Sequence, residues 1–195
     1  MKCLQKTSHY IDIYQESYLN MIFLHNGISE KGERNYTDLT FKQKCAISLV
    51  DYVKPTHFIT LSLNQARRIS SDYHETWARG DDTIYSETHR SFIQSLSKRL
   101  WSRTSYKFHH PSVRSACVVE GGRNGMRNHL HMIVAKPSHI DEMRFRVMAL
   151  RTAAGNAWIM NGEHAVDIQC ISSGMEAINA AYYSVKQGIE RLTLS

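Results

Sequence analysis

Two histidines, His129 and His131, stand one residue apart in the run RNHLHMIVAKP. Successive side chains of a strand alternate between faces. Both imidazoles therefore share one face with Ile133, while Leu130, Met132 and Val134 share the other. Two imidazoles at i and i+2 converge above the sheet and suit a single metal ion. Glu120 is a third candidate ligand. It ends the run SVRSACVVE, and the glycine-rich GGRNGMR between the two runs reads as the turn of a β-hairpin. With the turn centred near Asn124 and Gly125, Glu120 lies opposite His129 and points to the same face; a one-residue slip would turn it away. Two neutral imidazoles and one carboxylate, with positions left open, suit Mn²⁺ or Mg²⁺ acting on phosphate oxygens. The pair alone is a weak signal in a chain of 11 histidines. His57, His109, His110 and His139 have no spacing that selects them and read as structural or exposed.

The second chemical feature is GMEAINAAYYSVKQGIE. Met175, Ile178, Tyr182, Val185 and Ile189 follow helical spacing and form the stripe a helix buries, which makes Tyr182 core packing. Glu176, Asn179, Tyr183, Lys186 and Glu190 form the neighbouring stripe. Tyr183 sits one turn before Lys186. An ammonium near a phenol favours the phenolate and neutralises a phosphate under attack, so Tyr183 is the candidate nucleophile and Tyr182 the alternative. Adjacent helical residues point about 100° apart, so the two tyrosines are not expected to alternate as nucleophiles.

These residues need elements to hold them. Pro55 ends a weakly patterned region, with helical signals around Ile11–Leu24 and Phe41–Val53, and HFITLSLN follows as a first strand. SSDYHETWARGDD reads as a loop, after which Asp82 can cap a helix from about Thr83 to Ser102 with Tyr85, Phe92, Leu96 and Leu100 on its apolar face. After the hairpin, Ser138 or Asp141 can start a helix through Met143, Val147 and Leu150. A strand in HAVDIQCI precedes the tyrosine helix, which Ser172, Ser173 and Gly174 introduce over about Met175–Ile189. This order predicts an α+β domain with a mainly antiparallel sheet and helices packed on it.

HFITLSLN, HLHMIVAKP and YYSVK, in that order, resemble the motifs of HUH endonucleases, in particular the rolling-circle replication initiators of phages and plasmids. The resemblance spans roughly residues 56–190 and leaves 1–54 as an N-terminal accessory helical segment ahead of a nuclease domain at 55–195. It implies a five-stranded antiparallel sheet of the RNA-recognition-motif or ferredoxin-like type, with His129, His131 and Glu120 holding the metal and Tyr183 with Lys186 on an adjacent helix. The implied reaction is nicking and rejoining of single-stranded DNA, or of a strand exposed in an origin hairpin, through a 5′-phosphotyrosine. Conjugative relaxases place the tyrosine before the histidines, so the order here is similar to initiators and to single-strand transposases. A single-tyrosine transposase is the alternative enzyme. A noncatalytic nucleic-acid-binding module is the alternative from another class, disfavoured by the lack of paired aromatics in CVVE and HLHMIVA.

Charge agrees with a polyanionic partner. The 195 residues carry 24 Lys+Arg against 18 Asp+Glu. Between Arg90 and Arg127 stand eight cations, Arg90, Lys98, Arg99, Arg103, Lys107, Arg114, Arg123 and Arg127, opposed only by Glu120. No G-x-x-x-x-G-K-[ST] loop is present, so a replication role implies a host helicase and polymerase as partners. No run approaches the roughly 20 apolar residues of a membrane span, and the four scattered cysteines suggest neither zinc ribbon nor disulfides, so a cytoplasmic protein with reduced thiols is expected.

Overall fold

The computed structural model describes residues 39–70, 75–121, 127–186 and 192–195. The helix expected around Ile11–Leu24, the hairpin turn and Arg123 lie outside them. Twelve elements follow in order: α1 (Phe41–Val53), β1 (His57–Ser62), β2 (Ala66–Ser70), β3 (Glu75–Arg79), α2 (Asp82–Leu100), α3 (Arg103–His109), β4 (Ser115–Glu120), β5 (His129–Val134), α4 (Glu142–Ala154), β6 (Val166–Cys170), α5 (Gly174–Lys186) and β7 (Leu192–Leu194). The expected α+β fold is the one found, with a five-stranded antiparallel sheet in the order β6-β1-β5-β4-β7.

Local chemistry explains where the helices begin. Thr40 and Gln43 form a reciprocal capping box at α1. Asp81, rather than the expected Asp82, caps α2 by accepting from the Ile84 N–H at 2.8 Å. Asp141 caps α4 in the same way through Arg144. At α5 the Ser173 hydroxyl accepts from the Glu176 N–H, and the Glu176 carboxylate reaches back to the Ser172 N–H.

The sheet is covered on both faces. Ile59, Leu61, Leu130, Met132, Val134, Cys117 and Val119 meet Phe92, Ile93 and Leu96 of α2 and Phe145 and Ala149 of α4 in one core. Ala116 and Ile133 of the opposite face meet Ala46, Ile47 and Val50 of α1 and Ala177, Ile178 and Ala181 of α5 in a second. Phe41–Val53, expected within an accessory segment, thus closes one face of the domain's own sheet.

Two helix faces and one loop differ from expectation. On α4, Phe145, Ala149, Thr152 and Ala153 are buried at i, i+4, i+7 and i+8, which turns Met143 and Leu150 outward. On α5, small residues let α1 approach closely, so the helix buries Ala177, Ile178, Ala181, Ser184 and Val185, and Tyr182 is 38% exposed instead of buried in the core. Part of the stretch expected as a loop is β3, paired with β2 as a separate two-stranded ribbon. The ribbon was illegible because neither strand alternates apolar with polar residues. No helix among the described residues is long and apolar enough to cross a membrane.

Candidate metal and tyrosine site

The hairpin register is the one that chemistry requires. β4 pairs β5 with Glu120 opposite His129 and Val118 opposite His131. Glu120 therefore shares a face with Ala116 and Val118, and this is the face that carries His129, His131 and Ile133. Gly121 ends β4 at φ +111°, where a Cβ would collide with the Arg127 carbonyl oxygen, so the chain leaves the strand directly after the carboxylate only with glycine there.

β1 supplies the orienting groups. Thr60 lies opposite His131 and Ser62 opposite His129. The Thr60 Oγ1 is 3.1 Å from His131 Nδ1, and the Ser62 Oγ is 3.4 Å from His129 Nδ1. Holding Nδ1 of His131 in this way turns its Nε2 toward the carboxylate, the usual arrangement around a metal-binding imidazole. Alternating hydroxyls in FITLS, opposite the histidines, were the signal available in the sequence for these orienting roles. Phe58, on the same face, stacks on His131 with ring centroids 5.7 Å apart and meets Tyr183 edge-on.

Glu120 is the hub. Its Oε2 stands 2.9 Å from His131 Nε2 and accepts the Tyr183 hydroxyl proton, while its Oε1 is 3.7 Å from Lys186 Nζ. The His131 and Tyr183 rings lie 5.0 Å apart, edge to face. Burial lowers the His131 pKa, opposed by the Glu120 carboxylate, and so favours the neutral imidazole that binds metals. The donor atoms of His129, His131 and Glu120 are not all within 4.8 Å of one another, so the set is open. Its chemistry nonetheless fits a hard or borderline divalent ion: two imidazole nitrogens, one carboxylate, and room for oxygen ligands.

Lys186 reaches the tyrosine through its ring. Its ammonium lies over the Tyr183 ring, 3.3 Å from the centroid, rather than at the hydroxyl. Burial first, then the hydrogen bond to the Glu120 carboxylate and its charge, push the Tyr183 pKa up to about 12. The phenolate expected beside the lysine is not favoured, because burial and then the Glu120 carboxylate both hold the phenol in its neutral form.

The predicted basic residues do not form one patch. Arg90 and Arg99 ride on α2, on the face of the sheet opposite the histidines, and α3 carries Arg103 and Lys107 with no buried residue. Arg114 donates to the Tyr52 carbonyl at 3.2 Å. Arg127, exposed two residues before His129, is the one described member of the set at the site's end of the sheet. Sequence reasoning missed the ribbon that leaves from this same end. Leu63 bonds to the Asn128 carbonyl, and Gly80 closes the ribbon's root on Gln65. On the ribbon Arg68 pairs with Trp77 and Ala66 with Arg79, which sets Trp77, 71% exposed, between two arginines on one face.

A second cluster was also missed. His57, read as unselected, joins Glu142 and Cys170 in a group whose ligand atoms all lie within 4.8 Å of one another. Burial raises the Glu142 pKa, but hydrogen bonds from His57, Arg146 and Cys170 outweigh it and bring the carboxyl down to about 2. No protein-family model, curated protein or solved structure matches the chain.

Proposed function

We propose that this chain is an HUH-type DNA nicking and rejoining enzyme. It cuts single-stranded DNA, or an exposed strand of an origin hairpin, to initiate rolling-circle replication of a phage or plasmid. One observation carries this reading. Glu120, His129, His131, Tyr183 and Lys186, from three elements spread over 67 residues of sequence, meet at one end of one sheet face. That is the constellation the ordered motifs imply.

His129, His131 and Glu120 would hold Mn²⁺ or Mg²⁺, which supplies polarisation of the scissile phosphate. The chain's own groups do the rest. The Tyr183 oxygen attacks phosphorus as the P–O3′ bond breaks, leaving a 5′-phosphotyrosine and a free 3′-hydroxyl. The phenol proton already points at Glu120, the nearest acceptor. A phenol with a pKa of about 12 is neutral at physiological pH, so positive charge around it is essential for attack, and Lys186 contributes part of that charge. A second 3′-hydroxyl attacking the phosphotyrosine reverses the reaction without a nucleotide cofactor.

DNA is expected to reach this site from the sheet's end rather than across its face, because α1 and α5 cover the Ala116–Ile133 part of that face. Arg127 and the ribbon bearing Arg68, Trp77 and Arg79 flank the approach and offer phosphate contacts and one stacking platform. A host helicase and polymerase would supply unwinding and synthesis. The test is incubation of the full chain with single-stranded oligonucleotides and Mn²⁺, followed by denaturing electrophoresis and peptide mapping. A covalent adduct on Tyr183, lost in Tyr183→Phe and on chelation but kept in Tyr182→Phe, is expected. An adduct that survives Tyr183→Phe and vanishes in Tyr182→Phe would reverse the assignment, and no adduct at all would remove the enzymatic reading.

A further inference from the structure

His57 opens β1, on the sheet face opposite the catalytic histidines, and it is 1% exposed. Its register partner on β6 is Cys170, and Glu142 opens α4 nearby. The His57 Nε2 is 3.0 Å from both Glu142 oxygens and 3.7 Å from the Cys170 sulfur, and that sulfur is 3.3 Å from Glu142 Oε1. Three ligand atoms from three elements thus converge on one point.

The environment of His57 fixes which nitrogen faces the cluster. The Thr56 hydroxyl contacts the Val134 carbonyl and accepts from the Lys136 N–H, and it stands 2.9 Å from His57 Nδ1. Thr56 on Nδ1 thereby turns Nε2 toward Glu142, to which it donates, and toward Cys170. The proton of that hydrogen bond lies where a metal ion shared by the imidazole and the carboxylate would sit.

We propose that His57, Glu142 and Cys170 form a second metal site, selective for Zn²⁺ and chemically similar thiophilic ions rather than for the Mg²⁺ or Mn²⁺ of the tyrosine site. A thiolate and an imidazole favour zinc and cobalt, and three protein ligands leave a fourth tetrahedral position for water. Binding displaces the protons held between these groups, including that of the Cys170 thiol, to solvent. Zn²⁺ with one thiolate and one carboxylate is then neutral overall, which a half-buried cluster tolerates.

Arg146 is the stand-in cation of the metal-free form. Its Nε donates to Glu142 at 2.6 Å, its Nη2 to the Cys170 sulfur at 3.2 Å and its Nη1 to the Ile168 carbonyl at 2.9 Å. The Ile168 contact lies outside the cluster, so the guanidinium can give up the sulfur and stay anchored. The site would clip β1, β6 and α4 together, staples that a short edge strand lacks.

The test uses the full chain, reduced, freed of metal and titrated with Co²⁺, whose thiolate ligation gives a sulfur-to-cobalt charge-transfer band in the near ultraviolet. The band is expected at one equivalent, is lost in Cys170→Ser and is displaced by Zn²⁺ but not by Mg²⁺. Glu142→Gln should weaken Zn²⁺ binding by more than the roughly 10–100-fold cost of losing an outer hydrogen bond. Circular dichroism of Cys170→Ser checks that this exposed position leaves the fold intact. No band in the wild-type chain, or a band unchanged in Cys170→Ser, overturns the proposal. Neither result touches the tyrosine site, which contains no sulfur, and the covalent-adduct assay reports on that site separately.

Discussion

β4 carries Glu120 at one end and Ser115 at the other, and His89 of α2 anchors the Ser115 end. His89 is fully buried, its Nε2 lies 2.8 Å from the Ser115 hydroxyl, and its Nδ1 has no partner. Burial first, then the Arg90 charge, lower its pKa from 6.5 to about 4. The unfolded chain therefore binds more protons than the native one between those values, and stability must fall as the pH drops through that window. Linkage with these two pKa values predicts a loss of about 2 kcal/mol between pH 7 and pH 5, approaching about 3 kcal/mol as the pH falls through 4. Set against a total stability of roughly 5–15 kcal/mol, that is a large share. His89→Gln keeps an amide for Ser115 and removes the titration. Urea unfolding of both proteins at pH 7, 6 and 5, followed by tryptophan fluorescence, should show the wild type losing about 2 kcal/mol more than the variant. Equal losses would refute the assignment, because every other titrating group, His131 included, is common to both proteins.

Two further outcomes bear on the site. Thr60→Val removes the hydroxyl that holds His131 Nδ1, so on the proposed function the Mn²⁺ concentration for half-maximal nicking should rise by about 10–100-fold with the rate recovering at saturation; an unchanged Mn²⁺ dependence would mean that Thr60 does not orient the ring. Trp77→Ala should weaken binding of single-stranded oligonucleotides by about 1–3 kcal/mol, the worth of one stacked base, with little effect on folding because the ring is largely exposed; fluorescence anisotropy reads this, and unaltered affinity would take the ribbon out of the DNA path.

Much of the site was legible because it lies on elements with strong local signals. The i, i+2 spacing of His129 and His131 and the glycine turn before them led to the correct pairing of Glu120, and Tyr183 with Lys186 reached the site one helical turn apart. Helical phase was harder. The sequence already favours Tyr183 as the reactive residue, but Tyr182, expected in the core, stays partly exposed because α5 buries Ala177, Ile178 and Ala181 against α1. The state of the Tyr183 hydroxyl was misread for a related reason. Lys186 is near in sequence, but burial of the phenol and then Glu120, 63 residues away, decide its protonation.

The sequence by itself determined what depends on neighbours along the chain: which residues share a strand face, where Asp141 and Ser173 can cap, and that two imidazoles and a carboxylate can gather on one hairpin. Tertiary structure alone decided what depends on distant surfaces meeting. It scattered the basic window over separate layers, brought the Arg68–Trp77–Arg79 ribbon to the end of the sheet that carries Glu120 and His129, and set His57, Glu142 and Cys170 around one point although 113 residues separate the first from the last. Alternation and helical period are imposed by the backbone of each segment. Which segments become neighbours follows from burying both faces of the sheet at once, a constraint that no single segment contains.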